Sequence, residues 1–230
     1  MELVRSQRLE ALGVKHGFTT RALGDVRSSL ALWEKASGLS AERLVWAEQV
    51  HGSNVLVAWR PPLRPGEYQG RADALISNIT QLVLAVRTAD CLPLLLYDPR
   101  RRAAAAVHCG WRGALAQAAR RTVEVMQKLY GCHPWQLLAV LGPHIRSSCY
   151  PVGPEVQRAF LSAFGAEVAP VIDGRPRVDL ARAVRLQLER AGVGQIEEIE
   201  FCTFCRPELF FSWRREGESC GHQLAYICIP

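Results

Sequence analysis

Apolar residues recur along this chain with two different periods. Short alternating or continuous apolar runs predict strands over 55–59 (VLVAW), 74–77 (ALIS), 82–86 (LVLAV), 92–97 (LPLLLY), 103–107 (AAAAV), 137–142 (LLAVLG), 196–201 (IEEIEF), 209–213 (LFFSW) and 224–229 (LAYICI). Helical spacing predicts three helices. From about Arg112 to Tyr130, Leu115, Ala119, Val123, Met126 and Tyr130 share one face, and Gly131 ends the run. A second helix follows Gly153, with Pro154 in its first turn, Val156, Phe160 and Phe164 on one face, and Gly165 as its stop. A third starts after Asp179 as N-cap and carries Leu180, Val184 and Leu188, with Gly192 beyond it. Hairpins and helical crossovers together predict a single compact α/β domain over 1–230, with a mixed β-sheet core and flanking helices. The polar, proline-rich stretch RPPLRPGEYQGR (60–71) lies too early to divide the chain in two.

The segment CLPLLLYDPRRRAAAAVHCGWRG (91–113) predicts a hairpin. Asp98 and Pro99 suit the first two positions of a type I turn. A turn centred between 99 and 100 sets Leu96 against Ala103, Leu94 against Ala105 and Leu92 against Val107, large residues meeting small ones. It also sets Cys91 against His108, with Cβ atoms about 5 Å apart. Alanine is a poor β-former, so the second strand leans on its bulky partner. Pro99 fits poorly into the I′ or II′ turns that two-residue hairpins favour.

Composition narrows the function classes. Hydrophobic residues make up 49% and charged residues 22%, the balance of an ordinary globular protein. No apolar run reaches the ~18–20 residues a membrane helix needs. MELVRSQRLE lacks the apolar core of a secretory signal, so the cytoplasm is the expected location. Net charge is +6, almost all basic residues being arginine, and they are spread along the chain rather than gathered into a nucleic-acid stripe. Neither nucleic acid nor membrane is an expected partner. The eight cysteines read as reduced thiols, most of them small buried hydrophobes.

One or two of these cysteines are candidate ligands or nucleophiles. His108 ends a strand where the long helix begins, a place where free N–H groups attract anions and stabilise a thiolate. The pair reads either as a buried Cys beside a hydrogen-bonded His or as a site. His51, on the turn in WAEQVHGSNV (46–55), can complete a His₂Cys set with Cys91 and His108. Three N/S ligands with an open fourth position is the pattern of a catalytic zinc. Separately, CTFC (202–205) with Cys220 and His222 makes C-x₂-C-x₁₄-C-x-H, loosely like a structural zinc site, although Phe201 and Phe204 suggest a buried strand end.

HGFTTR (16–21), EQVHG (48–52), ADALIS (72–77), TADCLPLLLYD (88–98), AVHCGWRGAL (106–115), LGPHIRSSCYPVG (141–153) and CTFCRPELFFSWRREG (202–217) occur in this order. Together they resemble the laccase-domain family. Its members are also described as multi-copper polyphenol oxidases, as purine nucleoside phosphorylases and as peptidoglycan-editing factors. The resemblance implies an α/β fold similar to that of cytotoxic necrotising factor. It also implies a zinc site at His51, Cys91 and His108, and phosphorolysis of adenosine, inosine or methylthioadenosine, with adenosine deamination attributed to the same family. Its partners would be nucleoside and phosphate, its assembly a monomer or homodimer. The chain departs from the family's pattern at ALGDVRSSLALWEK, where an S-L-N-L segment is usual. Cys109 stands in place of Ala, Pro151 in place of Glu and His222 in place of Arg.

Within that frame, Cys91, His108 and Asp90 are the expected catalytic groups, Asp90 and Glu48 being the candidate proton shuttles for deamination. Arg21, Gln49 and Arg112 are the expected substrate and phosphate contacts. Zinc is the expected metal and copper the alternative, since copper outcompetes zinc at most such sites. Six scattered histidines are too few for a trinuclear copper centre. A metal-free Cys91–His108 thiol enzyme acting on an amide and a non-catalytic metal- or thiol-binding protein are the competing readings.

Overall fold

The computed structural model describes residues 1–230. In chain order its strands are β1 (Leu3–Val4), β2 (Lys15–Thr19), β3 (Leu44–Glu48), β4 (Val55–Val57), β5 (Tyr68–Arg71), β6 (Ala74–Ser77), β7 (Val83–Thr88), β8 (Leu92–Asp98), β9 (Ala103–Cys109), β10 (Leu138–Leu141), β11 (Val171–Ile172), β12 (Arg175–Pro176), β13 (Gln195–Glu198) and β14 (Gln223–Cys228). The helices are α1 (Gln7–Ala11), α2 (Leu30–Ser37), α3 (Trp111–Leu115), α4 (Ala118–Tyr130), α5 (Pro154–Phe164), α6 (Leu180–Arg190) and α7 (Trp213–Glu216).

The strands form two six-stranded mixed sheets, β1-β2-β14-β7-β3-β5 and β13-β10-β8-β9-β6-β4, where the sequence pattern implied one. Leu84, Val86, Ala225 and Ile227 of the first sheet meet Leu75, Leu95, Ala106 and Val140 of the second in one apolar cluster. The other face of the second sheet, through Leu94, Leu96, Ala105 and Val107, packs against α3, α4, α5 and α6. The outer face of the first sheet buries Trp33 of α2, whose ring meets Tyr226 edge-on at 5.4 Å. Strands β8 and β9 are thus covered on both faces, which is why they read as unbroken apolar runs.

The hairpin forms with a different register. Asp98 pairs with Ala103, Leu96 with Ala105 and Leu94 with Val107, around a loop of Pro99–Arg102. The Asp98 carboxylate selects this loop by accepting from the backbone N–H groups of Arg100 and Arg101 at 2.9 and 3.0 Å. The two-residue displacement from the expected pairing keeps every side chain on its face and preserves the large-against-small packing.

Other differences follow from tertiary context. The helix expected over 112–130 is broken at Gln117, which has φ 60°, so α3 and α4 are separate. The break carries no glycine or proline to announce it. LFFSW (209–213) forms no strand, because the backbone N–H groups of Phe211 and Arg214 go to the side chains of Gln223 and Asp90 instead of to a ladder. Strands β2, β3 and β5 were not visible in the apolar pattern, and β5 lies inside the stretch read as a polar loop. The helices after Gly153 and Asp179 stand as expected; Asp179 accepts from Arg182 N–H at 2.9 Å. No helix is long and apolar enough to cross a membrane.

Candidate metal centre and its cavity

Four chain segments converge where β9 gives way to α3. His51 lies on the connection between β3 and β4, Cys91 between β7 and β8, and His108 near the end of β9. Their ligand atoms all lie within 4.8 Å of one another. Cys91 does not face His108 directly, since Pro93 pairs with His108 in the ladder. It is the diagonal neighbour on the same face, a relation still within reach of side chains. The fourth segment brings Gly110. A Cβ there would lie 3.0 Å from Cys91 Sγ, 3.3 Å from His51 Cδ2 and 3.7 Å from His108 Cε1, so the missing side chain is the space in which the donors meet. Gly113 has a similar role one turn on: a Cβ would approach the Gly52 carbonyl to 2.9 Å, so glycine lets α3 pack directly on the His51 loop.

Asp73 holds these pieces in place. Fully buried just before β6, it accepts at Oδ1 from His51 N–H at 2.9 Å and from His108 Nδ1 at 2.8 Å. Its Oδ2 accepts from Gly52 N–H at 2.6 Å and Val50 N–H at 3.2 Å. The first pair of bonds fixes His51 in the left-handed region at φ 59° and leaves His108 Nε2 to face Cys91. Burial opposes the charge on Asp73, but the His108 and Gly52 hydrogen bonds outweigh it and keep the carboxyl below its usual range. Asp73 was missed in the sequence. The one signal was a carboxylate inside an otherwise apolar ADALIS run.

Electrostatics tie the pair together. Burial disfavours a Cys91 thiolate, yet the charges and hydrogen bonds of His108 and His51 bring its pKa down to about 6. Burial likewise disfavours an imidazolium at His108, yet Cys91 and Asp73 raise it to about 9. Without metal, the pair is a thiolate beside an imidazolium between these values. A metal needs neutral His108, so loading must release that proton. Metal affinity should therefore rise about tenfold per pH unit from about 6 to 9. Below about 6 the slope should steepen as Cys91 also takes up a proton. Competition titrations against a chelator across this range check it, and a flat profile would mean that His108 is already neutral.

The triad lies on a cavity of about 540 Å³. Aromatic side chains (Trp111, Tyr150, Trp213) and three arginines (Arg87, Arg112, Arg214) line it, with His222 and Gln49. The ion pairs of the chain use other arginines. Arg112 instead lies over Trp111 at 4.4 Å, Arg214 over Tyr150 at 5.3 Å, and Arg87 near Trp46 and Tyr68. The three guanidinium groups in the lining therefore have no ion-pair partner, although the Asp90 carboxylate also lines the cavity. His222 Nδ1 is buried with no protein partner, and burial lowers the pKa of this ring.

The expected site residues divide in two. His51, Cys91, His108 and Arg112 meet in the cavity. Gln49 reaches it, but its amide is spent on the backbone N–H and C=O of Arg87, both at 2.8 Å. Asp90 lines the wall at φ 87°, and its carboxylate accepts from Thr203 Oγ1, Ser212 Oγ and Arg214 N–H. It anchors the 203–214 segment. Arg21 stands outside the cavity lining, paired with Glu216 at 2.7 Å and bonded to the Pro207 carbonyl. Glu48 is exposed beside Arg71. Arg87 and Arg214 were not read as site residues, and His222 was read only as a ligand of the CTFC motif, because only the tertiary fold carries them here.

Known proteins resemble the chain at both levels. It is 35% identical over 242 residues to a purine nucleoside phosphorylase of Deinococcus radiodurans, covering 97% of this chain and 92% of that one. It is 32% identical to the purine nucleoside phosphorylase LACC1 of Mus musculus, covering 93% of this chain but 55% of that protein, so it spans about half of that relative's length. Among solved structures, Bacillus licheniformis hypothetical protein YfiH superimposes with a TM-score of 0.89 at 25% identity, covering 100% of this chain and 97% of that one. YlmD of Geobacillus stearothermophilus gives 0.88 at 26%, covering 100% and 96%. The sequence profile described as multi-copper polyphenol oxidoreductase laccase matches residues 12–230, and the chain belongs to that laccase-domain family.

Proposed function

We propose that this chain is a zinc-dependent purine nucleoside phosphorylase, acting on adenosine, inosine or methylthioadenosine. The observation that carries this reading is a His₂Cys donor set beside three arginines free of carboxylate partners in one aromatic-lined cavity. His51, Cys91 and His108 would hold the metal, which when bound supplies a Lewis acid to the cavity. The donor set fits: sulfur and imidazole ligands suit zinc, His108 is oriented by Asp73, and Gly110 leaves the centre clear.

The chain's own groups provide the rest. Arg112, with Arg87 and Arg214, binds phosphate and directs an oxygen at C1′ of the ribose. As that bond forms, the bond from C1′ to the purine nitrogen breaks and its electron pair leaves with the base. Trp111, Tyr150 and Trp213 offer faces to the purine. Deamination is less well supported. It requires a carboxylate to shuttle protons, and the one carboxylate lining the cavity, Asp90, is occupied by three donors.

The test is metal content and phosphate-dependent release of adenine from adenosine, for wild type and Cys91→Ala purified without added metal. Wild type should carry zinc at the triad, lose it in the variant and release adenine with ribose 1-phosphate only when phosphate is present. Arg112→Ala should raise the KM for phosphate. Zinc-loaded protein without nucleoside turnover would overturn the phosphorylase reading. The depressed Cys91 pKa favours a second reading, a thiol nucleophile with His108 as its base. Metal-free wild type whose Cys91 alkylates rapidly at neutral pH would move the assignment there.

A further inference from the structure

The CTFC turn has no part in the cavity, and its partner differs from the one its spacing suggested. Cys220 is buried with its thiol directed to the Gly221 carbonyl, and His222 lines the cavity. The sulfurs of Cys202 and Cys205 meet Cys149 instead, from the turn between β10 and α5. We propose that Cys149, Cys202 and Cys205 form a second, all-thiolate site for a thiophilic d¹⁰ cation, zinc(II) or copper(I), with one side open to solvent.

Two observations carry this. The three sulfurs lie within 4.8 Å of one another, and Cys149 Sγ approaches Cys205 Sγ to 3.1 Å. Bonds of about 2.3 Å to one tetrahedral zinc would set sulfurs about 3.8 Å apart, inside that range. Second, the turn is held without metal. Arg215 donates to the carbonyls of Thr203 and Phe204 at 2.9 and 2.8 Å, Thr203 N–H bonds the His144 carbonyl, and Thr203 Oγ1 bonds Asp90 at 2.7 Å. A preformed site loses little entropy on binding, and soft sulfur ligands select zinc or copper(I) over harder ions.

A Cys149–Cys205 disulfide is the competing fate of these thiols. It would bring two sulfurs to about 2.05 Å and leave Cys202 without a role. It would also need an external two-electron oxidant. The metal site uses all three sulfurs.

The decisive comparison is metal stoichiometry in wild type, Cys205→Ser, Cys149→Ser and Cys91→Ala, each purified under reductant without chelator. Each is titrated separately with zinc(II) and with copper(I). Wild type should bind one equivalent more than either Cys205→Ser or Cys149→Ser, whereas Cys91→Ala should lose a different equivalent. Cobalt(II) substitution adds a spectroscopic reading: thiolate-to-cobalt absorption in wild type should fall to about the single-thiolate level in Cys205→Ser. An equivalent retained only from zinc, or only from copper(I), names the ion. Equal stoichiometry in wild type and Cys205→Ser would overturn the proposal. So would a wild-type chain two hydrogens lighter by intact mass that binds no second ion under reductant. Retention of the triad's metal in Cys205→Ser reports that the variant is folded, so its result stands whatever becomes of the phosphorylase reading.

Discussion

Asp73→Ala is expected to destabilise the protein by about 3–5 kcal/mol and to abolish tight metal binding. The carboxylate is fully buried and answers four donors at once: the N–H groups of Val50, His51 and Gly52, and His108 Nδ1. Alanine leaves those donors buried and unpaired, each a desolvation cost that folding no longer offsets. It also releases the constraint on His51, whose left-handed backbone has little other support. Asp73→Asn separates the two effects. Its side-chain oxygen can still accept, but its amide nitrogen would face an N–H group, so part of the stability should return without full metal affinity. Denaturant melts of the metal-free proteins measure the first effect and chelator competition the second. A loss below about 1 kcal/mol in Asp73→Ala would show that water replaces the carboxylate, and that the loop does not depend on it.

Gly110→Ala is expected to reduce metal affinity by about 100-fold while leaving the fold intact. The backbone at Gly110, φ −73° and ψ 173°, is open to alanine, so conformational strain is not the cause. The added methyl would stand 3.0 Å from Cys91 Sγ and 3.3 Å from His51 Cδ2. One of the donors must give way, at a packing cost of about 1–3 kcal/mol. Circular dichroism should match wild type, and zinc titration should show the loss. Wild-type affinity in this variant would place the metal somewhere other than among His51, Cys91 and His108.

Much of the candidate metal centre was legible in the chain. An apolar run that begins after a cysteine, a second that stops at a histidine, and a glycine turn after each of His51 and His108 are local signals, so Cys91, His108 and His51 could be singled out. The diagonal relation of Cys91 to His108 could not be read, because register depends on how Asp98 caps the loop, and a two-residue displacement leaves the apolar pattern unchanged. Asp73 escaped for a related reason. Its role is to answer donors on a loop more than twenty residues away, and nothing in its own neighbourhood expresses that demand.

The same logic separates Arg112 from Arg21. Both stand beside glycine-rich or turn motifs, and both are cations near a strand end. Arg112 faces the cavity without an acidic partner, whereas Arg21 is neutralised by Glu216, brought to it from 195 residues away. The CTFC motif was visible, but its third sulfur was assigned by spacing to Cys220, and the fold supplied Cys149.

What the sequence determined by itself was periodic or local: the α/β class, the helices after Gly153 and Asp179, the apolar hairpin, and the residue types able to bind a soft metal. These follow from side-chain periodicity, caps and turn chemistry, which act over a few residues. The tertiary structure decided the division into two sheets, the break at Gln117, the non-strand course of 209–213, the arginine lining of the cavity and the pairing of cysteines. Each of these depends on a donor, an acceptor or a close approach contributed by a distant segment, and such partners are chosen by packing.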